Sequence, residues 1–394
     1  MSTGPSTAAG PPVQSGVNLY PWDVVGDPGC AERIASLGVD RVTLAAAYHT
    51  VRALTPHHPD HKVVTAAHSA AYYRIDATRW AGPQRIRPVA AHWAAGSFGQ
   101  ATRALTEAGL EVYGWAVLAH NQRLGTLHPQ IAVVNAHGDH YPWALCIANP
   151  SVQQYCATLA AEAAGQPGLS GLELESCGWY GFDHLHAHDK TAGVPLSARA
   201  ALLFSLCFCV HCAEAYHAAD ADPVLLRAAV RDALDAVFTG HAEDARLDPE
   251  AEQAVTRMRT AVAARLRARV LAAVHAERPD LPVLLHSRPD PLATGACPGV
   301  APGELHRVAD GPVLPCNVRS AQALESVHAH VGAGRRVVAT VSAVRGLGAD
   351  TDDLPQWCAD LVAAGAAELR VYHAGLASRA DLAAIRATVA RTAG

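Results

Sequence analysis

The sequence predicts an α/β fold, a (β/α)₈ TIM barrel with insertions after strands 2 and 4. Three observations predict it. Eight short apolar runs recur along 394 residues, amphipathic stretches separate them, and polar side chains follow each run. The runs are residues 17–22, 41–46, 111–118, 171–175, 281–286, 313–317, 336–342 and 368–372. They are short and mostly without polar alternation, which suits strands covered on both faces. Residues 28–37, 97–109, 151–164, 321–331, 354–364 and 378–393 carry apolar positions at helical spacing. Gly38 and Gly109 stand where helices cap before the next strand. An open doubly wound sheet often has a Gly-rich turn after its first strand; Tyr20-Pro21-Trp22-Asp23 is no such turn.

Two insertions break the rhythm. Residues 50–91 follow the second strand and hold His57, His58, His61 and His68. Residues 176–280 follow the fourth and hold a cysteine cluster, with helices expected over 196–220 and 249–277. Residues 1–15, rich in Ser, Thr, Gly, Pro and Ala, read as a disordered tail, and 16–394 as a single barrel.

Charge is nearly balanced, 31 basic against 36 acidic residues, net −5. That gives no general pull toward nucleic acid or an anionic membrane. No apolar run is long enough to span a bilayer. The first residues have neither a basic start nor an apolar core of the signal-peptide kind, so a cytoplasmic protein is expected. Ten cysteines in a reducing compartment should be thiols or metal ligands. A homo-oligomer is compatible with all of this.

Cys207-Phe208-Cys209-Val210-His211-Cys212 places three thiols in six residues. Free cysteines buried as small hydrophobes are the plainer alternative, but this density points to a shared tetrahedral zinc. Cys146, Cys177 and His211 are the candidates for a fourth ligand. Four thiolates would leave no position open for water, so the zinc would be structural.

Leu145-Cys146-Ile147-Ala148-Asn149-Pro150, Gly171-Leu172-Glu173-Leu174-Glu175, Gly178-Trp179-Tyr180-Gly181 and the Cys207–Cys212 motif together resemble the family 42 β-galactosidases and related clan A glycoside hydrolase barrels. The match spans roughly residues 141–217. It implies a zinc held by Cys146, Cys207, Cys209 and Cys212, and a fourth strand ending on catalytic residues. Two departures stand out. The family's Asn-Glu pair after strand four is absent, with Cys177 where the acid/base Glu would fall. Strand seven ends Thr340-Val341-Ser342-Ala343-Val344-Arg345, without the nucleophile Glu.

In this fold chemistry belongs at the C-terminal strand ends. These present Trp22 and Asp23, Tyr48 and His49, His120 and Asn121, Glu173 and Glu175, His286 and Arg288, Asn317 and Arg319, Ser342 and Arg345, and Tyr372 and His373. Any one of them could simply cap a strand; eight polar ends together suggest a binding site. Period two turns Glu173 and Glu175 inward, where they need Arg or His partners; Arg288, Arg319 and Arg345 are available. Glu175, nearest the mouth, is the expected acid or base, with Glu173 a deeper anchor. Asp23 is the expected second carboxylate, set across the mouth for an inverting mechanism, and the plainer alternative is that it only fixes the Trp22 loop. Trp179 and its neighbours suit a sugar face. His184, His186 and His188, with Asp183 or Asp189, offer a second metal site, less expected than a hydrogen-bonded loop.

The function expected is therefore a glycoside hydrolase-like enzyme on a sugar or sugar-like small molecule, one with an acidic group if the arginines line the mouth. Two alternatives remain. One is a lyase, isomerase or epimerase using Glu175 and His286; the other is a barrel that binds a ligand without catalysis.

Overall fold

The computed structural model describes residues 12–392 apart from 82–85, 92–94, 183–188, 195, 241–244 and 332–335. Eight parallel strands form the barrel: β1 (Gln14–Leu19), β2 (Arg41–Tyr48), β3 (Glu111–Val117), β4 (Gly171–Glu175), β5 (Val283–His286), β6 (Gly311–Pro315), β7 (Val338–Ser342) and β8 (Glu368–Tyr372). Each pairs in parallel with the next, and β8 pairs with β1, so no barrel edge is left open. The helices that follow them are α1 (Cys30–Ala35), α2 (Ser97–Glu107), α3 (Pro150–Ala164), α4 (Pro249–Glu277), α5 (Pro302–Leu305), α6 (Ala321–Val331), α7 (Leu354–Ala363) and α8 (Arg379–Thr392).

The first strand begins and ends three residues earlier than expected. Gln14 and Ser15 are therefore strand, not tail, while residues 1–11 lie outside those described. Pro21 has no N–H for the ladder and starts a single helical turn, Pro21–Val24, that carries Trp22 and Asp23. The helix expected over 196–220 is two helices, Ala198–Phe204 and Val210–His217. The break at 205–209 frees Cys207 and Cys209 from helical spacing, which would splay their thiols. A ribbon of Val51–Leu54 and Val63–Ala66 fills part of the insertion after β2. A second ribbon, Ala132–Val134 with His140–Leu145, follows β3 and leads into Cys146; sequence periodicity did not single it out.

The barrel interior is filled in layers. Tyr113, Leu284, Val313 and Val338 form its own small apolar cluster, apart from the main core between strands and helices. Around that cluster runs a buried ion network. Glu368 pairs with Arg41, Arg336 and Arg370, and Arg370 also pairs with Glu173. Glu173, Glu368 and Arg370 have no exposed side-chain surface. Burial pushes the Arg370 guanidinium down to about 9. The layers above this network are aromatic.

Candidate functional site

Period two on β4 places Glu173 and Glu175 one above the other inside the barrel. Glu173 accepts from His286 Nε2 at 2.6 Å and from Arg370. Glu175, two residues nearer the mouth, accepts from Trp115 Nε1 at 2.9 Å. His286 Nδ1 lies 4.0 Å from it. His286 thus stands between the two carboxylates. Burial lowers its pKa, opposed in part by Glu175.

Aromatic rings wall this centre. Trp115 stacks on His286 with an interplanar angle of 11° and faces His373 at 5.9 Å between centroids. Tyr48 meets Trp115 edge-on at 4.7 Å and Tyr20 at 5.2 Å. Tyr20 stacks on Trp22 and on His373, and its hydroxyl lies 3.1 Å from His373 Nε2. Tyr372 lies against His373, and the wall continues through His49 and His120 to Tyr180. Burial raises Tyr48 well above an ordinary phenol, with Tyr20, Tyr372 and Glu175 adding to it. Burial and His49 push His373 down to about 3.

Backbone conformation marks the same place. Ser176 and His373 have φ of 55° and 52°, in the left-handed region. They directly follow β4 and β8, so two of the described residues that bear side chains in this unfavourable state adjoin Glu175 and Tyr372.

Trp22, Tyr48, His49, His120, Glu173, Glu175, His286, Tyr372 and His373 are brought together by these contacts. Several other expected residues lie elsewhere. Asp23 does not face Glu175: its Oδ2 accepts from Tyr20 N–H at 2.8 Å, and a β-carbon on Gly375 would collide with its carboxylate. It lines a small cavity with Cys30, Arg33 and Ile34 of α1, Leu382 of α8, and Thr55, His57, His58 and Gly375. Burial pushes it up to about 7 there. Asn121 caps the helix Gln122–Leu127 by accepting from Leu124 N–H, and donates to Tyr155. Trp179 is buried, donating to Arg259 O at 2.9 Å.

The arginines are not the carboxylates' partners. Arg319 pairs with Asp353 and Asp360, and Arg345 with Asp381. Arg288 is exposed and lines a groove with Arg199 and Asp290, and Asn317 is exposed beyond β6. The partner in the barrel is Arg370, which sequence reasoning missed. Trp115 and Tyr20 were missed as well. The alternation Tyr113, Trp115, Val117 on β3 and Glu368, Arg370, Tyr372 on β8 was the available signal. His184, His186, His188 and Asp183 lie outside the described residues.

The second centre is the cysteine cluster. Sγ atoms of Cys146, Cys207, Cys209 and Cys212 all lie within 4.8 Å of one another. Cys146 Sγ is 3.6 Å from that of Cys209 and 3.4 Å from that of Cys212. Four sulfurs at this spacing, three of them buried, fit the tetrahedral reach of a zinc-sized ion. Cys177 and His211 are not in the cluster. Proton sharing among the thiols drives Cys209 down and Cys146 and Cys212 up.

No protein-family model matches the sequence, and no curated protein matches it. Solved structures do. The glycoside hydrolase domain of PgaB (BpsB) from Bordetella bronchiseptica superposes with a TM-score of 0.59 at 16% identity, over 95% of this chain and 98% of that one. Alpha-L-fucosidase isoenzyme 2 from Paenibacillus thiaminolyticus gives 0.57 at 14%, over 96% of this chain and 49% of that one. A catalytic mutant of a GH42 β-galactosidase from G. stearothermophilus gives 0.52 at 11%, over 91% and 51%. The chain thus spans about half the length of the fucosidase and the galactosidase. It has the TIM-barrel fold of these glycoside hydrolases, together with a four-cysteine cluster able to hold a metal ion.

Proposed function

We propose that the chain is a glycoside hydrolase-like enzyme acting on a carbohydrate, with Glu175 as its acid/base group and a structural zinc on Cys146, Cys207, Cys209 and Cys212. The observation that carries the reading is Glu175 itself. It is the carboxylate at the end of β4, hydrogen-bonded to Trp115 and set among stacked rings. Aromatic faces suit the C–H faces of a sugar ring. Because Arg319 and Arg345 are held in ion pairs and Arg288 lines a separate groove with Arg199 and Asp290, the substrate we assign is a neutral sugar. A panel of aryl glycosides and neutral oligosaccharides tests this, read by turnover and thermal shift. Cleavage that disappears in Glu175→Gln supports it; no turnover and no shift across the panel rejects it. Residence in the cytoplasm belongs to the same proposal, and all ten cysteines being free accords with it.

One observation favours a second reading. Asp23 lies outside the barrel interior, and no carboxylate ends β7. Glu175 and the imidazole of His286 then form an acid/base pair suited to moving a proton at carbon, as in an isomerase, epimerase or lyase. Binding of a free sugar with slow exchange of its C–H hydrogen for deuterium, and no glycoside cleavage, would select this reading.

A further inference from the structure

The two oxygens of Glu173 face different partners. Oε2 accepts from Arg370 and, at 3.5 Å, from Thr43 Oγ1. Oε1 lies 2.6 Å from His286 Nε2. Glu173 and Arg370 are an ion pair with no exposed side-chain surface on either partner. An ionised carboxylate only accepts hydrogen bonds. The hydrogen between Glu173 and His286 therefore belongs to the imidazole and sits on Nε2.

The other ring nitrogen looks toward Glu175. Nδ1 lies 4.0 Å from its Oε2, beyond hydrogen-bond reach. A neutral imidazole carries one N–H, and the 2.6 Å contact claims it. Burial favours that neutral form, opposed in part by Glu175. Nδ1 is then left with a lone pair, and a lone pair takes a proton where an N–H would give one.

We propose that Glu173 is a positioning residue that fixes the His286 hydrogen on Nε2 and leaves the Nδ1 lone pair facing Glu175, so that His286 is the base of the pair and Glu175 the acid. A proton leaves a substrate C–H for Nδ1, the electron pair stays on the substrate, and the Nε2–H bond remains intact. Glu173 offsets the charge of the imidazolium so formed. The Glu175 carboxyl gives its own proton to the substrate, and transfer from Nδ1 to the Glu175 carboxylate restores both groups. The roles rest on the reading of Glu175 and His286 as an acid/base pair; the tautomer rests on geometry alone.

Glu173→Gln makes an opposite demand on the ring. Arg370 has only donors, so it takes the amide oxygen and leaves the amide NH₂ to face His286. Nε2 must then accept, and the hydrogen moves to Nδ1. Protein grown on histidine with isotopically labelled ring nitrogens is read by nitrogen NMR near neutral pH, and His286→Gln identifies the signal among the 22 histidines. The wild type should be protonated on Nε2 alone, and Glu173→Gln on Nδ1 alone. A wild-type ring protonated on Nδ1, or on both nitrogens, overturns the proposal even if Glu173→Gln fails to fold. So does a folded Glu173→Gln that keeps its hydrogen on Nε2. Kinetics give a second readout, the exchange of a free sugar's C–H hydrogen for deuterium. Glu173→Gln should lower its kcat by about 10²–10⁴ with KM little changed. Undiminished kcat beside a reversed tautomer would take the role of base from His286. A wild type that exchanges no sugar hydrogen overturns the acid/base pair itself, a separate result read before any variant.

Discussion

His286 Nε2 lies 2.6 Å from Glu173 Oε1, while its Nδ1 lies 4.0 Å from Glu175. The ring therefore stands between the upper carboxylate and the buried pair below, Glu173 and Arg370. Glu173 orients the imidazole from beneath, and Trp115 stacks on its face. The side chain beside Glu175 is thus held in place before any ligand arrives.

Loss of the upper carboxylate should separate chemistry from folding. Glu175 retains some exposure and one hydrogen bond, from Trp115. Glu175→Gln should cut kcat by about 10²–10⁴, the range for an acid/base group, and shift the thermal midpoint only slightly. Turnover on the best substrate from the panel, measured beside a melt, checks both. Undiminished turnover would remove Glu175 from the chemistry.

Loss of the lower carboxylate should do the reverse. Glu173→Leu leaves Arg370, itself fully buried, with only Glu368 as partner. Breaking one side of such a pair costs roughly 3–5 kcal/mol. Arg319→Ala removes two exposed, solvent-screened ion pairs and should lower the midpoint far less. Urea denaturation of the two variants compares them directly; equal midpoints would contradict the network's role.

Metal removal is a third separation. The four sulfurs join the ribbon after β3, through Cys146, to the helix Val210–His217, through Cys212, and to the segment before it, through Cys207 and Cys209. Stripping zinc with a strong chelator should lower the melting temperature by several degrees, and one equivalent of zinc should restore it. An unchanged melt with zinc demonstrably gone would make the site dispensable for the fold.

What the sequence made legible follows from periodicity. Strands covered on both faces leave short apolar runs, and all eight barrel strands were found to within three residues at either end. The cysteine cluster was legible because three thiols in six residues have few other uses. Site geometry was less so. Asp23 follows Trp22 by one residue, yet a single helical turn at Pro21 sets its carboxylate against Tyr20 N–H and Gly375, in a cavity shared with α1 and α8. Arg319 and Arg345 follow their strands closely, yet acidic residues Asp353, Asp360 and Asp381 on or beside α7 and α8 claim them. Such long-range pairings leave no local pattern. Arg370 and Trp115 did leave one, the alternation along β8 and β3, but both lie inside their strands and not at the C-terminal ends.

Two buried groups, Asp23 and His373, respond to pH in opposite directions. Asp23 is held at about 7, above its unfolded value near 4, by burial. Its contribution to stability is complete below about pH 4 and is lost as pH rises through 7. His373 is held at about 3, below its unfolded value near 6.5, by burial and then by His49. Its contribution is complete above about pH 6.5 and is lost as pH falls through 3. Between about pH 4 and 6.5 the two slopes oppose one another, each up to about 1.4 kcal/mol per pH unit. Asp23→Asn should expose the His373 slope, so that stability climbs with pH across this window. His373→Asn, which tolerates the left-handed backbone there, should expose the Asp23 slope, so that stability falls. Urea midpoints at half-unit intervals measure both. Parallel pH curves for the wild type and both variants would show that neither group is shifted as its surroundings dictate.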